Sequence, residues 1–321
     1  MKISATHESW PLAGEFRISR GAKTAADVVV VQVEQDGVAG RGECVPYARY
    51  GETIESVLKQ IHGSSAQRLT RDKLKHRLSP GAARNAMDCA LWDLECKAQG
   101  RDISDVLGTT SDSLLSAYTL SLDEPKAMHA AAQQQSETPL LKIKLGGRGD
   151  LERLRAVRAG APLSRLVLDA NEAWSVADNE ALLPELVALN VEVIEQPFPV
   201  GNDRALAHLD RPITICADES CHDAKSIAGL EERYDMVNVK LDKTGGLSEA
   251  IETRQAAEDR GLKVMVGCMV GTSLGMAPAF FLAQNVDVVD LDGPLWLKQD
   301  REPGIYYKGT EMHKPDSKLW G

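Results

Sequence analysis

The sequence predicts an α/β protein: a closed barrel of parallel strands with a smaller α+β domain beside it. Three observations carry this expectation. First, short apolar runs recur from about Leu114 onward: LLSAYTLSL, LLKIKL, RLVLDAN, VEVIEQP, ITICADES, MVNVKLD, KVMVGCM and VDVVDLDG. Second, the stretches between them carry helical periodicity, as in Ala181 to Leu189 and Ser248 to Gly261. Such alternation makes βαβ units and a parallel sheet, and eight strands in so short a length suit a closed barrel better than an open sheet. Third, no GxGxxG follows the first strand, which weighs against a dinucleotide-binding sheet.

Before the barrel, the Val-rich run Asp27 to Gln35 meets Asp36-Gly37 and then VAGRGECVPY, the pattern of a β-hairpin. The run Ala82 to Ala98 sets Ala83, Ala86, Met87, Ala90, Leu91 and Leu94 at helical spacing and stops at Gly100. This division predicts a domain over 1–113, a barrel over 114–293, and a polar tail over 294–321 that returns to complete the first domain. Hydrophobic content of 43% and charged content of 26% in 321 residues are those of an ordinary globular chain. A net charge of −10 argues against nucleic acid, whose phosphates reward clustered Lys and Arg. The start of the chain shows no apolar run of a signal peptide, and no stretch reaches the ~18 apolar residues of a membrane span. Six cysteines without CxxC pairs fit reduced thiols, so the expected location is cytoplasmic.

The barrel strands end in polar residues at a near-constant interval. From Lys144 to Asp169, Glu195, Asp218 and Lys240 the steps are 25, 26, 23 and 22 positions; Cys268 follows after 28 and Asp290 after 22. One βα unit has this length, so these side chains should meet at the C-terminal mouth, where barrel enzymes place their chemistry. Any one acidic residue could simply cap a helix. Three on consecutive strands would repel strongly without a cation among them. Ligands that are all oxygen favour Mg²⁺, and with no His beside them zinc is not expected. Strands two and six of eight are opposite, so Lys144 and Lys240 would approach a substrate from two faces. That geometry suits taking a proton from one face of a carbon and returning it to the other, with the cation stabilising an enediolate. Lys142, on the face of Lys144, would balance the acidic cluster or bind a substrate carboxylate.

These residues resemble the enolase superfamily, in its muconate-lactonizing subgroup. The likeness rests on GRGECVPY (40–47), GAARNAMDCALWDLECKAQG (81–100), KIK (142–144), LDAN (168–171), EQP (195–197), ADES (217–220) and KLDKTGG (240–246). It implies a (β/α)7β modified TIM barrel under an α+β capping domain. It also implies one Mg²⁺ on Asp169, Glu195 and Asp218, with Lys144 and Lys240 as the acid/base pair.

At the eighth strand, GCM (267–269) followed by DLDGPLW (290–296) is similar to dipeptide epimerases, in particular those acting on L-Ala-D/L-Glu. In those enzymes the Asp290-Leu291-Asp292 pattern binds a free α-amino group, and the likeness adds Thr119, Lys142 and Cys268 as substrate contacts. The expected activity is an isomerase that inverts the α-carbon of a dipeptide's C-terminal residue, in recycling of cell-wall peptides. An acidic side chain there would need a cation from the loop 16–23, with Arg20 the first choice and Lys23 the second. Expected partners are a small dipeptide, no nucleic acid and no membrane; a homo-oligomer is allowed. Three alternatives stay open: a lyase or cycloisomerase of the o-succinylbenzoate synthase kind, an epimerase of another dipeptide, and a barrel that binds without turnover.

Overall fold

The computed structural model describes residues 1–64 and 69–321. Its first sheet is antiparallel, in the order β1 (Lys2–Ile18), β2 (Gly21–Gln35), β3 (Val38–Cys44). The β2–β3 turn holds Asp36 and Gly37 at φ 52° and 81°, the left-handed pair that a two-residue hairpin requires. β1 goes beyond the sequence reading. It is polar and largely exposed, so it shows no apolar run, and it is ordered by pairing along β2 from Lys2↔Glu34 to Ile18↔Gly21.

Helices α1 (Ile54–Gly63), α2 (Arg71–Arg77) and α3 (Ala82–Gln99) follow. α3 ends at Gly100 (φ 61°), the left-handed C-cap that glycine adopts without strain. It is buried nearly all round because it has two partners. Ala83, Ala86, Ala90 and Leu94 face the core under the first sheet, while Cys89, Trp92 and Cys96 face the barrel's core.

The run LLSAYTLSL divides. β4 (Ser113–Leu115) leaves the barrel and pairs with β14 (Glu311–His313), which pairs in turn with β13 (Tyr307–Lys308). β5 (Tyr118–Leu120) begins the barrel. It continues through β6 (Leu140–Lys144), β7 (Arg165–Asp169), β8 (Val191–Glu195), β9 (Thr214–Ala217), β10 (Met236–Lys240), β11 (Lys263–Gly267) and β12 (Val288–Asp290). These eight strands are parallel neighbours in sequence order, and Ala117 N–H donates to the Val289 carbonyl (2.8 Å) to close the ring. The expected α/β barrel with a separate capping sheet is therefore present. Two crossovers are short 3₁₀ turns, Asp203–His208 and Ala224–Ile227, where Pro197, Pro199, Gly201 and Pro212 break up the first of these segments.

The barrel interior is layered. Ala117, just before β5, and Leu140, Val167, Val193, Cys216, Met236, Met265 and Val288, one from each of the other seven strands, pack as a separate apolar cluster that floors the barrel. Strand side chains alternate in direction, so the residue two further along each strand points into the same interior. That next layer is Thr119, Lys142, Asp169, Glu195, Asp218, Asn238, Gly267 and Asp290. The floor fixes the height of the charged layer above it.

The tail runs back over the cap. Leu297 bridges Leu12, Lys298 N–H donates to Pro11 O (2.8 Å), and Trp320 Nε1 donates to Cys89 O (3.0 Å).

Candidate active site

Strand register brings the spaced polar residues together. Lys144 lies level with Asp169, Asp169 with Glu195, and Gly267 with both Lys240 and Asp290. The result is an alternating lattice of ammonium and carboxylate. Lys144 Nζ lies 2.6 Å from Asp169 Oδ2, and Lys240 Nζ 2.7 Å from Asp218 Oδ2. Lys142 Nζ is shared by Glu195 Oε2 (2.7 Å), Asp290 Oδ2 (2.8 Å) and Asp169 Oδ2 (3.3 Å).

Two partners in this lattice are absent from the sequence reading. Asn238 Nδ2 donates to Glu195 Oε1 (2.8 Å), and Lys243 Nζ donates to Asp218 Oδ1 (2.6 Å). Each has a signal in hindsight. Asn238 precedes Lys240 by one pleat, and Lys243 follows it by one turn of the short helix Leu241–Thr244.

Almost no water reaches these groups, so their charges act on one another at low dielectric. Burial pulls Lys240 down, but Asp218 and Glu195 outweigh it and hold the ammonium well above its usual range. Lys142 behaves alike under Asp290, Glu195 and Asp169. Burial alone would raise Asp169, yet Lys144 and Lys142 bring it down to about 2. Glu195 goes the other way, raised by burial and by the neighbouring Asp169.

Lys144, Asp218, Lys240 and Cys268 line a cavity of about 470 Å³, closed from the cap side by Phe16, Arg20, Lys23, Tyr47 and Tyr50. Thr119, Lys142, Asp169, Glu195, Asp290 and Asp292 form a second group that does not line it. They are buried in the charged layer and just above it. Asp292 Oδ2 accepts Thr119 N–H (2.6 Å) and lies 3.4 Å from Trp296 Nε1. Asp290 Oδ1 is buried without a hydrogen-bond partner. His222 lies beyond β9, its ring edge-on to Tyr50 with centroids 4.9 Å apart.

Of the two loop cations, Arg20 is already spent. It donates to Glu219 Oε1 (2.8 Å) and to the Asn171 carbonyl (2.9 Å). Lys23 reaches the cavity over the Tyr47 ring, 5.5 Å from its centroid, with no carboxylate in ion-pair range among the described residues. Both cations line the cavity, Arg20 with carboxylate and carbonyl partners and Lys23 without a carboxylate.

As the side chains stand, no three carboxylate, imidazole or thiol groups gather around one point closely enough to enclose an ion, among the described residues. Lysines sit between them instead. The donor set nonetheless suits a hard cation. It consists of three buried carboxylates with no His or Cys ligand, and Glu195 Oε2, though 2.7 Å from Lys142 Nζ, makes no hydrogen bond.

The chain is similar to known proteins over nearly its whole length. Residues 1–108 match the mandelate racemase/muconate lactonizing enzyme N-terminal domain, and residues 126–312 the enolase C-terminal domain-like family. The chain is 42% identical to the L-Ala-D/L-Glu epimerase of Escherichia coli, over 97% of this chain and 99% of that one. It is 43% identical to an N-acetyl-D-glutamate racemase of a Pseudoalteromonas species, over 92% and 95%. A crystal structure of an enolase family member from Agrobacterium tumefaciens superposes with a TM-score of 0.97 at 50% identity, covering 99% of both chains. That protein has homology to dipeptide epimerases and holds sodium and L-Ala-L-Glu.

Proposed function

Because the chain belongs to the enolase superfamily, we propose that it is a Mg²⁺-dependent dipeptide epimerase of the L-Ala-D/L-Glu type. Asp169, Glu195 and Asp218 hold the cation in this reading. When bound, Mg²⁺ neutralises carboxylates that otherwise keep Lys240 charged, and it offsets negative charge developing on the substrate carboxylate. The remaining steps belong to the protein. Lys144 and Lys240 stand on opposite strands and both open into the cavity, so one removes the proton from the substrate α-carbon while the other delivers a proton to the far face. Lys142 stays charged between its carboxylates and fixes the acidic layer. In this reading Cys268 contacts the substrate from the cavity wall, Thr119 does so from the buried layer beside Asp292, and Lys23 meets an acidic C-terminal side chain.

The observation that carries the substrate assignment is the pair Asp290 and Asp292. Lys142 already pairs with Asp290 Oδ2, but Asp290 Oδ1 lacks any donor and Asp292 has no ion-pair partner among the described residues, which leaves room for a second cationic group. A free α-ammonium supplies three donors. We further infer cytoplasmic action on peptides released from the cell wall; among the described residues no helix is long and apolar enough to cross a membrane. The domain division at about residue 113, with the tail closing the cap, is likewise our reading.

Incubation in heavy water with Mg²⁺ tests the function. The C-terminal residue of L-Ala-L-Glu or L-Ala-D-Glu should gain deuterium at its α-carbon and the two diastereomers should interconvert; no exchange in either would end the dipeptide assignment. Lys144→Ala and Lys240→Ala should each lower epimerisation by about 10²-fold or more, while each variant still exchanges one diastereomer from its surviving side. The racemase relative gives a second reading, an N-acylated glutamate. Such a substrate has no ammonium, as do those of the lyases and cycloisomerases of this superfamily, so full activity in Asp292→Ala would favour it.

A further inference from the structure

We infer that Asn238 and Lys243 are positioning residues that present Glu195 and Asp218 as single-oxygen ligands and so set the site's preference for Mg²⁺ over Ca²⁺. This rests on the reading of Asp169, Glu195 and Asp218 as the cation's ligands.

Each of these carboxylates uses its two oxygens differently. One oxygen is held from behind by a fixed donor. Asp169 Oδ1 accepts the Asn171 N–H (3.0 Å), Glu195 Oε1 accepts Asn238 Nδ2 (2.8 Å), and Asp218 Oδ1 accepts Lys243 Nζ (2.6 Å). The other oxygen faces the ammonium lattice more closely: Asp169 Oδ2 toward Lys144, Glu195 Oε2 toward Lys142, and Asp218 Oδ2 toward Lys240, while Lys240 Nζ also lies 3.8 Å from Glu195 Oε1. The pattern repeats on three consecutive strands with three different donors.

Both side-chain donors are locked. Lys243 is fully buried and makes three contacts with its three protons, to Asp218 Oδ1, to Asp218 O (2.6 Å) and to Asn238 O (2.8 Å). It has no donor left with which to swing toward the substrate. Asn238 packs against Gly267, where a Cβ would come within 2.6 Å of the Asn238 amide oxygen. The amide must also point its nitrogen at Glu195, since its oxygen would repel a carboxylate.

The consequence follows from cation chemistry. Mg²⁺ takes six oxygens in a near-octahedral shell, whereas Ca²⁺ accepts six to eight and readily uses both oxygens of a carboxylate. Occupied rear oxygens close that second mode. Three single-oxygen ligands leave positions for water and a substrate carboxylate, which a small octahedral ion fills and a larger ion does not fill as well.

Calorimetric titration of metal-free protein with MgCl₂ or CaCl₂, without dipeptide, tests this on the full chain. Asn238→Leu and Lys243→Met each free one rear oxygen. Each should shift the ratio of Mg²⁺ to Ca²⁺ affinity toward Ca²⁺ by about tenfold or more, and Lys243→Arg should restore much of it. The ratio is the discriminating quantity. Lost charge strengthens both ions and general loosening weakens both, so either effect alone leaves the ratio unchanged and overturns the inference. The two substitutions act on different carboxylates, so a shift in whichever variant keeps the wild-type circular dichroism supports it. If the wild type binds neither ion, the ligand assignment fails and the inference falls with it.

Discussion

Asp292 is buried beside Asp290, and a neighbouring carboxylate raises the cost of ionising it. Burial, with Asp290 second, pushes Asp292 up to about 6, against the opposing pull of Thr119 and Lys142. A carboxyl with a raised value is neutral below it and charged above it. In the proposed role only the charged form attracts an ammonium, so kcat/KM for L-Ala-L-Glu should fall as the pH drops through about 6. The fall should appear mainly in KM. A pH series of deuterium exchange measures it, and Asp292→Asn should flatten that limb and raise KM at neutral pH. Positions such as Asp169, Glu195, Asp218 and the two lysines were readable in the chain because one βα unit repeats at a fixed length. Asn238 and Lys243 were not. Their importance lies in which oxygen of a carboxylate they hold, and spacing carries no record of that. The partners of Arg20 were hidden for a similar reason, since Glu219 and Asn171 reach it from the loops of two other strands.

At the scale of elements, β3 lies unusually close to α3. A Cβ on Gly42 would come 2.2 Å from the Ala86 carbonyl oxygen, and one on Gly40 2.2 Å from the Ala90 carbonyl oxygen. Backbone touches backbone there, so the helix cannot be accommodated by a rotamer change. Gly42→Ala should therefore force the strand and helix apart and cost about 1–3 kcal/mol, read as a lower urea midpoint with the slope unchanged. The α3 pattern and the Asp36-Gly37 turn were visible in the sequence because local rules decide them. β1 was hidden because its pairing with β2, not its own apolar content, orders it. The split of LLSAYTLSL into β4 and β5 was hidden too, since β4 is drawn off by β14, a partner nearly two hundred positions away.

At the scale of the whole molecule, a partly buried ion pair links cap, barrel and tail, and it stands behind the loop that forms the cavity wall. Arg301 from the tail donates to Glu43 Oε2 on β3 (2.8 Å) and to Glu8 Oε2 on β1 (2.6 Å), while its Nε reaches Thr272 Oγ1 (2.6 Å). Thr272 N–H in turn donates to Glu43 Oε1 (2.8 Å), at the end of the segment carrying Cys268, Met269 and Val270 into the cavity. Glu43 is wholly buried; burial pushes its carboxyl up, and Arg301 is the main force opposing that. Removing the guanidinium alone therefore strands a charge, whereas removing both partners removes the problem with the interaction. Arg301→Leu should cost about 3–5 kcal/mol, and Glu43→Gln combined with Arg301→Leu should cost clearly less than the sum of the two single changes. Chemical denaturation of the four proteins measures that coupling. The same set should show KM for the dipeptide rising in Arg301→Leu with a smaller change in kcat, because the loop bearing Cys268 loses its anchor while Lys144 and Lys240, held by strand register, keep theirs. An additive cycle with unchanged KM would mean that the Arg301–Glu43 pair anchors neither the cap nor the Cys268 loop, with the tail only lying across their seam.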